Sequence, residues 1–86
     1  MDLIEESTKI LSAALEGASR ARIAALQQHL KHNEIEWLLK MLVDRKLLEM
    51  DSTSSSAYYW TTVNGVKLLE IRFNMERMLQ AQKSLV

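Results

Sequence analysis

The chain has 86 residues, 48% of them apolar and 26% charged, with no cysteine and with Lys plus Arg equal to Asp plus Glu at 11 each. This composition fits one small folded domain and excludes disulfides and thiolate metal sites. Zero net charge speaks against a protein that coats nucleic acid through bulk positive charge. No apolar run approaches the roughly 18 residues of a membrane span. Met1-Asp2-Leu3-Ile4-Glu5-Glu6 carries three acids and no basic run, so it is not expected to be a secretory leader.

Residues 2–16 read as a first helix, with Leu3, Ile4, Ile10, Leu11, Ala14 and Leu15 at helical spacing and Gly17 as its stop. Ser19 is a suitable N-cap for a second helix over about residues 20–29, which turns Ile23, Leu26 and Leu30 inward. His32 or Asn33 opens a third. Its Ile35, Leu38, Leu39, Leu42 and Val43 follow the i, i+3, i+4, i+7, i+8 pattern of a core-facing stripe. On a helical wheel Asn33, Trp37, Lys40 and Asp44 then fall on the opposite side.

Residues 47–50 and 57–61 form a hairpin, joined by Asp51 and five hydroxyl residues that supply turn chemistry and no apolar side chain. Thr62 is an N-cap for the last helix. With no proline in the chain, that helix runs unbroken to about Ser84, about 20 residues and roughly 30 Å. Its first turns, with Val66 and Leu69, are expected to pack on the domain, and the rest to extend past it. Leu68, Ile71, Met75, Met78, Gln82 and Leu85 keep the 3-4 spacing of a coiled-coil seam, which Leu79 and Phe73 broaden. Gln82 would help set its register.

Three helices, a hairpin and a fourth helix, in that order, make an α+β, mainly α plan: a winged helix-turn-helix. Residues 1–66 are assigned to the winged-helix domain. Residues 67–86 are assigned to a C-terminal dimerisation helix continuous with it, forming a dimeric coiled coil. Such a plan offers one helix and one loop to a partner, which points to a binding module. The chain has only Gly17 and Gly65 and shows no Gly-rich phosphate loop and no nucleophile–base pair, so no enzymatic activity is expected. His29 and His32 lie three apart with no placed carboxylate to complete a metal set, so neither metal nor cofactor is expected.

The distribution of charge says more than its sum. Residues 17–33 hold Arg20, Arg22, His29, Lys31 and His32 with no acid, whereas residues 1–16 hold four acids against Lys9. Arg20 and Arg22, at the positive end of the second helix, are candidates for phosphate contact; the alternative is a surface pair or a salt bridge to Glu16 or Glu49. Lys31 and His32 extend this basic stripe. Asn33 can pair with adenine, Lys40 can reach a phosphate or guanine, and Trp37 can pack on a sugar or a thymine methyl; the alternative for Trp37 is folding down against the wing or a neighbouring subunit. Ser54 and Ser55 of the wing can donate to phosphate oxygens. Glu34 and Glu36 repel phosphate: either they flank the contact, with Glu36 accepting from cytosine, or the third helix does not meet DNA. For the tail, the alternative to a partner seam is folding back over the first helix.

The run Ala18-Ser19-Arg20-Ala21-Arg22-Ile23, then Ile35-Glu36-Trp37-Leu38-Leu39-Lys40 through Leu48, then Tyr59-Trp60-Thr61-Thr62-Val63-Asn64-Gly65, resembles the small archaeal winged-helix DNA-binding proteins of the Sulfolobus ten-a type. Thr62-Val63-Asn64-Gly65 stands where that family has Thr-x-x-Gly, and Ala21-Arg22-Ile23 where it has Thr-Arg-Ile. The resemblance implies a homodimer held by an antiparallel coiled coil of the last helices; the residues alone leave parallel or antiparallel open. Three places depart from it. Lys46 stands where the family usually has Gly, Glu36 and Trp37 stand where it often has Lys, and the wing has Asp51 and hydroxyls in place of a basic residue.

The reading that follows is a homodimeric, cytoplasmic winged-helix protein that binds double-stranded DNA, either a small transcription regulator or a nucleoid-associated protein. Its rival is a winged-helix protein–protein adaptor with little or no DNA binding.

Overall fold

Asp2 starts the first helix, α1 (Leu3–Ala13), by accepting a hydrogen bond from the Glu5 backbone N–H at 3.1 Å. Glu5 and Glu6 in its first turn complement the helix dipole. The chain turns at Gly17, whose φ of 92° is closed to most side chains. It then forms β1 (Ala18–Ser19), α2 (Arg20–Leu26), α3 (His32–Asp44), β2 (Leu48–Asp51), β3 (Tyr58–Thr61) and α4 (Val63–Ser84). These coordinates are a computed structural model that describes residues 1–53 and 57–84, with side chains as far as residue 80. Ser54, Ser55 and Leu85, and the side chain of Gln82, lie outside the described residues.

The three strands form one antiparallel sheet in the order β1-β3-β2, with Leu48 opposite Thr61, Asp51 opposite Tyr58, and Ala18 opposite Tyr59. The hairpin stands where the sequence places it. The third strand was not anticipated: β1 is two residues long, too short for any alternation, and Ser19 is at once its end and the N-cap of α2. The fold is a winged helix-turn-helix with a long C-terminal helix.

The core forms where α1, α2, α3 and the sheet converge on Ile10, Leu11, Ile23, Leu38, Leu39, Leu42, Leu48 and Tyr59. The α3 stripe is buried as its spacing requires, with Val43 partly covered at its edge. Other expected core residues are not buried. Leu3, Ile4, Leu15 and Leu26 are 44–64% exposed. The face of α1 that meets the core runs through Glu6, Ser7, Ile10, Leu11 and Ala14, so Leu3 and Ile4 stand on its flank. Helix α2 ends at Leu26, three residues earlier than expected, and Gln27 turns inward in its place.

Helix α3 ends in a Schellman arrangement. The Leu47 N–H donates to the Leu42 carbonyl at 2.9 Å, and the Lys46 N–H to the Val43 carbonyl at 3.0 Å. This closure puts Lys46 at φ 61°, the left-handed conformation anticipated at the position of the family's glycine. A side chain there costs about 1 kcal/mol. Lys46→Gly is therefore expected to raise the melting temperature by roughly 4–8 °C, read by circular dichroism.

Thr62 joins the body to α4. Its hydroxyl donates to the Lys46 carbonyl at 2.7 Å and accepts from the Gly65 N–H at 3.1 Å. Helix α4 has 22 residues, about 33 Å. Leu68 and Leu69 lie against the core, but from Phe73 to residue 80 every side chain is exposed. The molecule measures 53 × 27 × 19 Å because the second half of α4 extends past the body. Among the described residues, no helix is long and apolar enough to cross a membrane.

Candidate nucleic-acid interface

The N-terminal ends of α2 and α3 come together on one side of the molecule. Ser19 fixes the first by accepting from the Arg22 N–H at 3.1 Å, while the Arg20 N–H donates to the Ala57 carbonyl at 3.1 Å and ties α2 to the sheet. At the second, the Lys31 N–H donates to Glu34 Oε1 at 2.9 Å, so one of the two acids on α3 caps the helix.

The other acid holds an arginine. Arg20 Nε donates to Glu36 Oε1 at 2.6 Å, and an Arg20 Nη lies 3.0 Å from His32 Nδ1. The Arg20 side chain is only 20% exposed. Its partner is neither Glu16 nor Glu49 but an acid of α3 itself. Arg20, His32 and Glu36 thus form one linked group at the α2–α3 junction, beside the buried Tyr59. Burial, and then the charge of Glu36, raise the Tyr59 phenol above its ordinary range, with Arg20 opposing.

Arg22, Lys31 and Lys40 form no ion pair among the described residues, and all three are exposed, as is Asn33. Of the cations expected to meet DNA, Arg22, Lys31 and Lys40 are therefore the ones left without an ion pair among the described residues. In the wing, Asp51 accepts from the Thr53 hydroxyl at 2.7 Å and from its N–H at 2.9 Å, and these bonds hold its carboxyl below the usual range.

Trp37 is exposed, as the wheel predicts, but it stands at the edge of the α3 face. With Met41 it forms one wall of an apolar groove whose other walls are α1 and α4. Among the expected seam residues, Leu68 is partly buried, while Ile71, Met75, Met78 and Leu79 are 57–67% exposed. Phe73 does not broaden that seam. It lines a second hollow with Leu15, Leu26 and Leu69, and the Arg77 guanidinium lies 5.8 Å from its ring centre.

One polar group was not anticipated from the sequence. Glu6 is buried, with Oε1 2.8 Å from His29 Nε2 and 3.9 Å from Lys9 Nζ. The contact ties α1 to the turn between α2 and α3. Glu6 Oε2 and the buried Gln27 Oε1 have no hydrogen-bond partner among the described residues. An acid in the first turn of a helix reads as solvated, and only its place one turn before Ile10 hinted otherwise. Among the described residues, no three His, Asp or Glu side chains stand close enough to hold a metal ion.

No family model and no curated protein matches the chain. Solved structures do. MepR, a transcription regulator of the Staphylococcus aureus multidrug efflux pump MepA, superimposes with a TM-score of 0.77 at 22% identity over 94% of this chain. Lactococcus lactis ZitR, in a mutant form, gives 0.71 at 17% identity over 94%. A S. aureus MepR mutant bound to an oligodeoxyribonucleotide gives 0.67 at 23% identity over 93%. The chain spans under two thirds of each of these proteins: 64%, 58% and 62% of their lengths. At such identities the likeness establishes the winged-helix fold.

Proposed function

We propose that this protein binds double-stranded DNA through the N-terminal ends of α2 and α3, with α3 entering the major groove and the wing lying along the backbone. The observation that carries this reading is the exposed set Arg22, Lys31, Asn33 and Lys40, whose cations form no ion pair among the described residues, while Glu34 caps α3 and Glu36 is paired with Arg20. Arg22 and Lys31 are the phosphate contacts. Asn33 and Lys40 reach base edges. Arg20 and His32 act from behind, as the group that holds Glu36. Ser54 and Ser55, read from the sequence as wing donors to phosphate, complete the proposed set. The bound oligodeoxyribonucleotide in a structure of like fold supports DNA as the ligand.

The working unit is a homodimer. The supporting observation is the exposed row Ile71, Met75, Met78 and Leu79 on a helix that outruns its own body. Gln82 and Leu85 continue that row in the sequence. The resemblance to the archaeal ten-a type adds the expectation of an antiparallel coiled coil. As a dimer in the cytoplasm the protein would hold two recognition helices at fixed spacing, as a small transcription regulator or a nucleoid-associated protein.

Mobility-shift titration with duplex DNA at low and at moderate salt tests the reading. A retarded band that weakens steeply with salt is expected; well-folded protein with no band at either salt would remove DNA as the ligand. Glu36 limits affinity in this account, since it neutralises Arg20 and faces the phosphates itself. Glu36→Gln is expected to tighten binding several-fold, toward tenfold, in the same titration.

One observation favours a second reading, a protein-docking adaptor: Trp37 and the groove it borders make an apolar surface adjoining α3. In that case Trp37→Ala weakens partner capture and the charge of Arg22 is immaterial.

A further inference from the structure

The groove beside α3 has a volume of about 620 Å³. Leu42 and Leu68 form its floor, and Ile4, Trp37, Ile71 and Met75 are among its walls. It continues without interruption along α4 to Leu79, beyond the end of the body. Trp37 and Ile4 are 53% and 64% exposed. These residues, with Leu3 and Leu79 of the groove and Met78 beside them on α4, form an exposed apolar patch rimmed by Arg45, Arg72 and Glu76, the kind of surface that marks an interaction site.

We propose that α4 of a second copy lies in this groove, so that Trp37 is a dimer contact carried on the DNA-facing helix. The inference rests on the homodimer reading and deepens it: the interface is not α4 against α4 alone but α4 against α1, α3 and α4. The occupant is argued from the chain itself. A groove of this kind takes an amphipathic helix with anchors at i, i+4, i+7 or i+8. Helix α4 carries Ile71, Met75, Met78 and Leu79 exposed at that spacing, and Ile71, Met75 and Leu79 line the groove. A two-fold axis lets each copy's overhang cover the other's groove, so one self-complementary contact buries both surfaces. Arg45 on the rim has no ion-pair partner among the described residues, whereas Glu76 across the groove is held by Arg72 at 3.0 Å.

The consequence is a coupling. Trp37 is next to Glu36 and shares α3 with Asn33 and Lys40. Closing the dimer clamps the helix that meets DNA, so a monomer presents α3 without that support.

The test is dimer dissociation by analytical ultracentrifugation together with tryptophan emission. Trp60 is replaced by Phe so that Trp37 is the only reporter. The expected results are a dimer for the unaltered chain, a monomer for Met75→Glu, and a dimer Kd raised at least about tenfold for Trp37→Ala. Trp37 emission in Trp60→Phe should shift to the blue as concentration rises through the Kd. Circular dichroism on Trp37→Ala checks the fold; because the side chain is half exposed, folding should survive. If Met75→Glu dissociates the dimer while Trp37→Ala leaves the Kd unchanged and Trp37 emission stays constant, the groove is not the interface and only the α4 seam stands. If the unaltered chain is monomeric throughout, the homodimer reading falls and this inference with it.

Discussion

Gly65→Ala is expected to destabilise the domain by about 3 kcal/mol, at the upper end of what overpacking costs. A Cβ at position 65 would overlap the Leu47 carbonyl oxygen, lie 2.6 Å from Thr61 Cγ2 and press on Leu11 at 3.3 Å. The carbonyl cannot swing aside, because it already accepts from the Thr62 N–H at 3.1 Å. Relief requires α4 to lift from the body, which also breaks the Thr62 cap. Alanine gains at most about 1 kcal/mol of helix propensity over glycine, too little to offset the overlap. The melting temperature should fall by roughly 12–24 °C, at 4–8 °C per kcal/mol for a domain of this size. A thermal melt that is unchanged or higher would mean that α4 does not approach the β2 edge as closely as described.

The largest functional effect should come from reversing two charges together, Arg22→Glu with Lys40→Glu. Both side chains are exposed and neither forms an ion pair among the described residues, so stability should change by no more than about 0.5 kcal/mol. DNA affinity should fall at least about a hundredfold, because two attractions to phosphate become repulsions, and the salt slope should shrink by about 2. Fluorescence anisotropy with a labelled duplex at several salt concentrations reads both quantities. Arg20 is the poorer choice for this test. Its guanidinium already serves Glu36, and reversing it would leave two acids facing each other at the α2–α3 junction. Loss of binding in that variant would confuse contact with folding.

The parts of the fold that were legible in the sequence are those governed by local periodicity and local chemistry. The α3 stripe from Ile35 to Leu42 shows the helical repeat without interruption. Thr62 and Gly65 mark the start of α4, and the absence of proline predicts its length. Lys46 in the left-handed region follows from the turn that must bring α3 into β2. What was not legible is what tertiary contact decides. Strand β1 exists because β3 lies beside it, not because two residues prefer to be extended. The pairing of Arg20 with Glu36 joins positions sixteen apart across a helix–helix junction, where a wheel is silent. Glu6 is buried because α1 turns that face to the core, and His29 arrives from the α2–α3 turn to meet it. For Trp37 the wheel was right about exposure. The groove that gives this residue a second role is made by α1 and α4, which no wheel of α3 contains.

The open face of α2 and α3 is the centre of the account, and amide shift mapping addresses it residue by residue. A labelled sample of this 86-residue chain titrated with duplex DNA at low salt should show its largest amide shifts at Arg22, Lys31 to Asn33, Lys40 and the wing. The second half of α4 should move little. Shifts confined to α4, or no shifts at all from a folded sample, would contradict the assignment of that face to DNA.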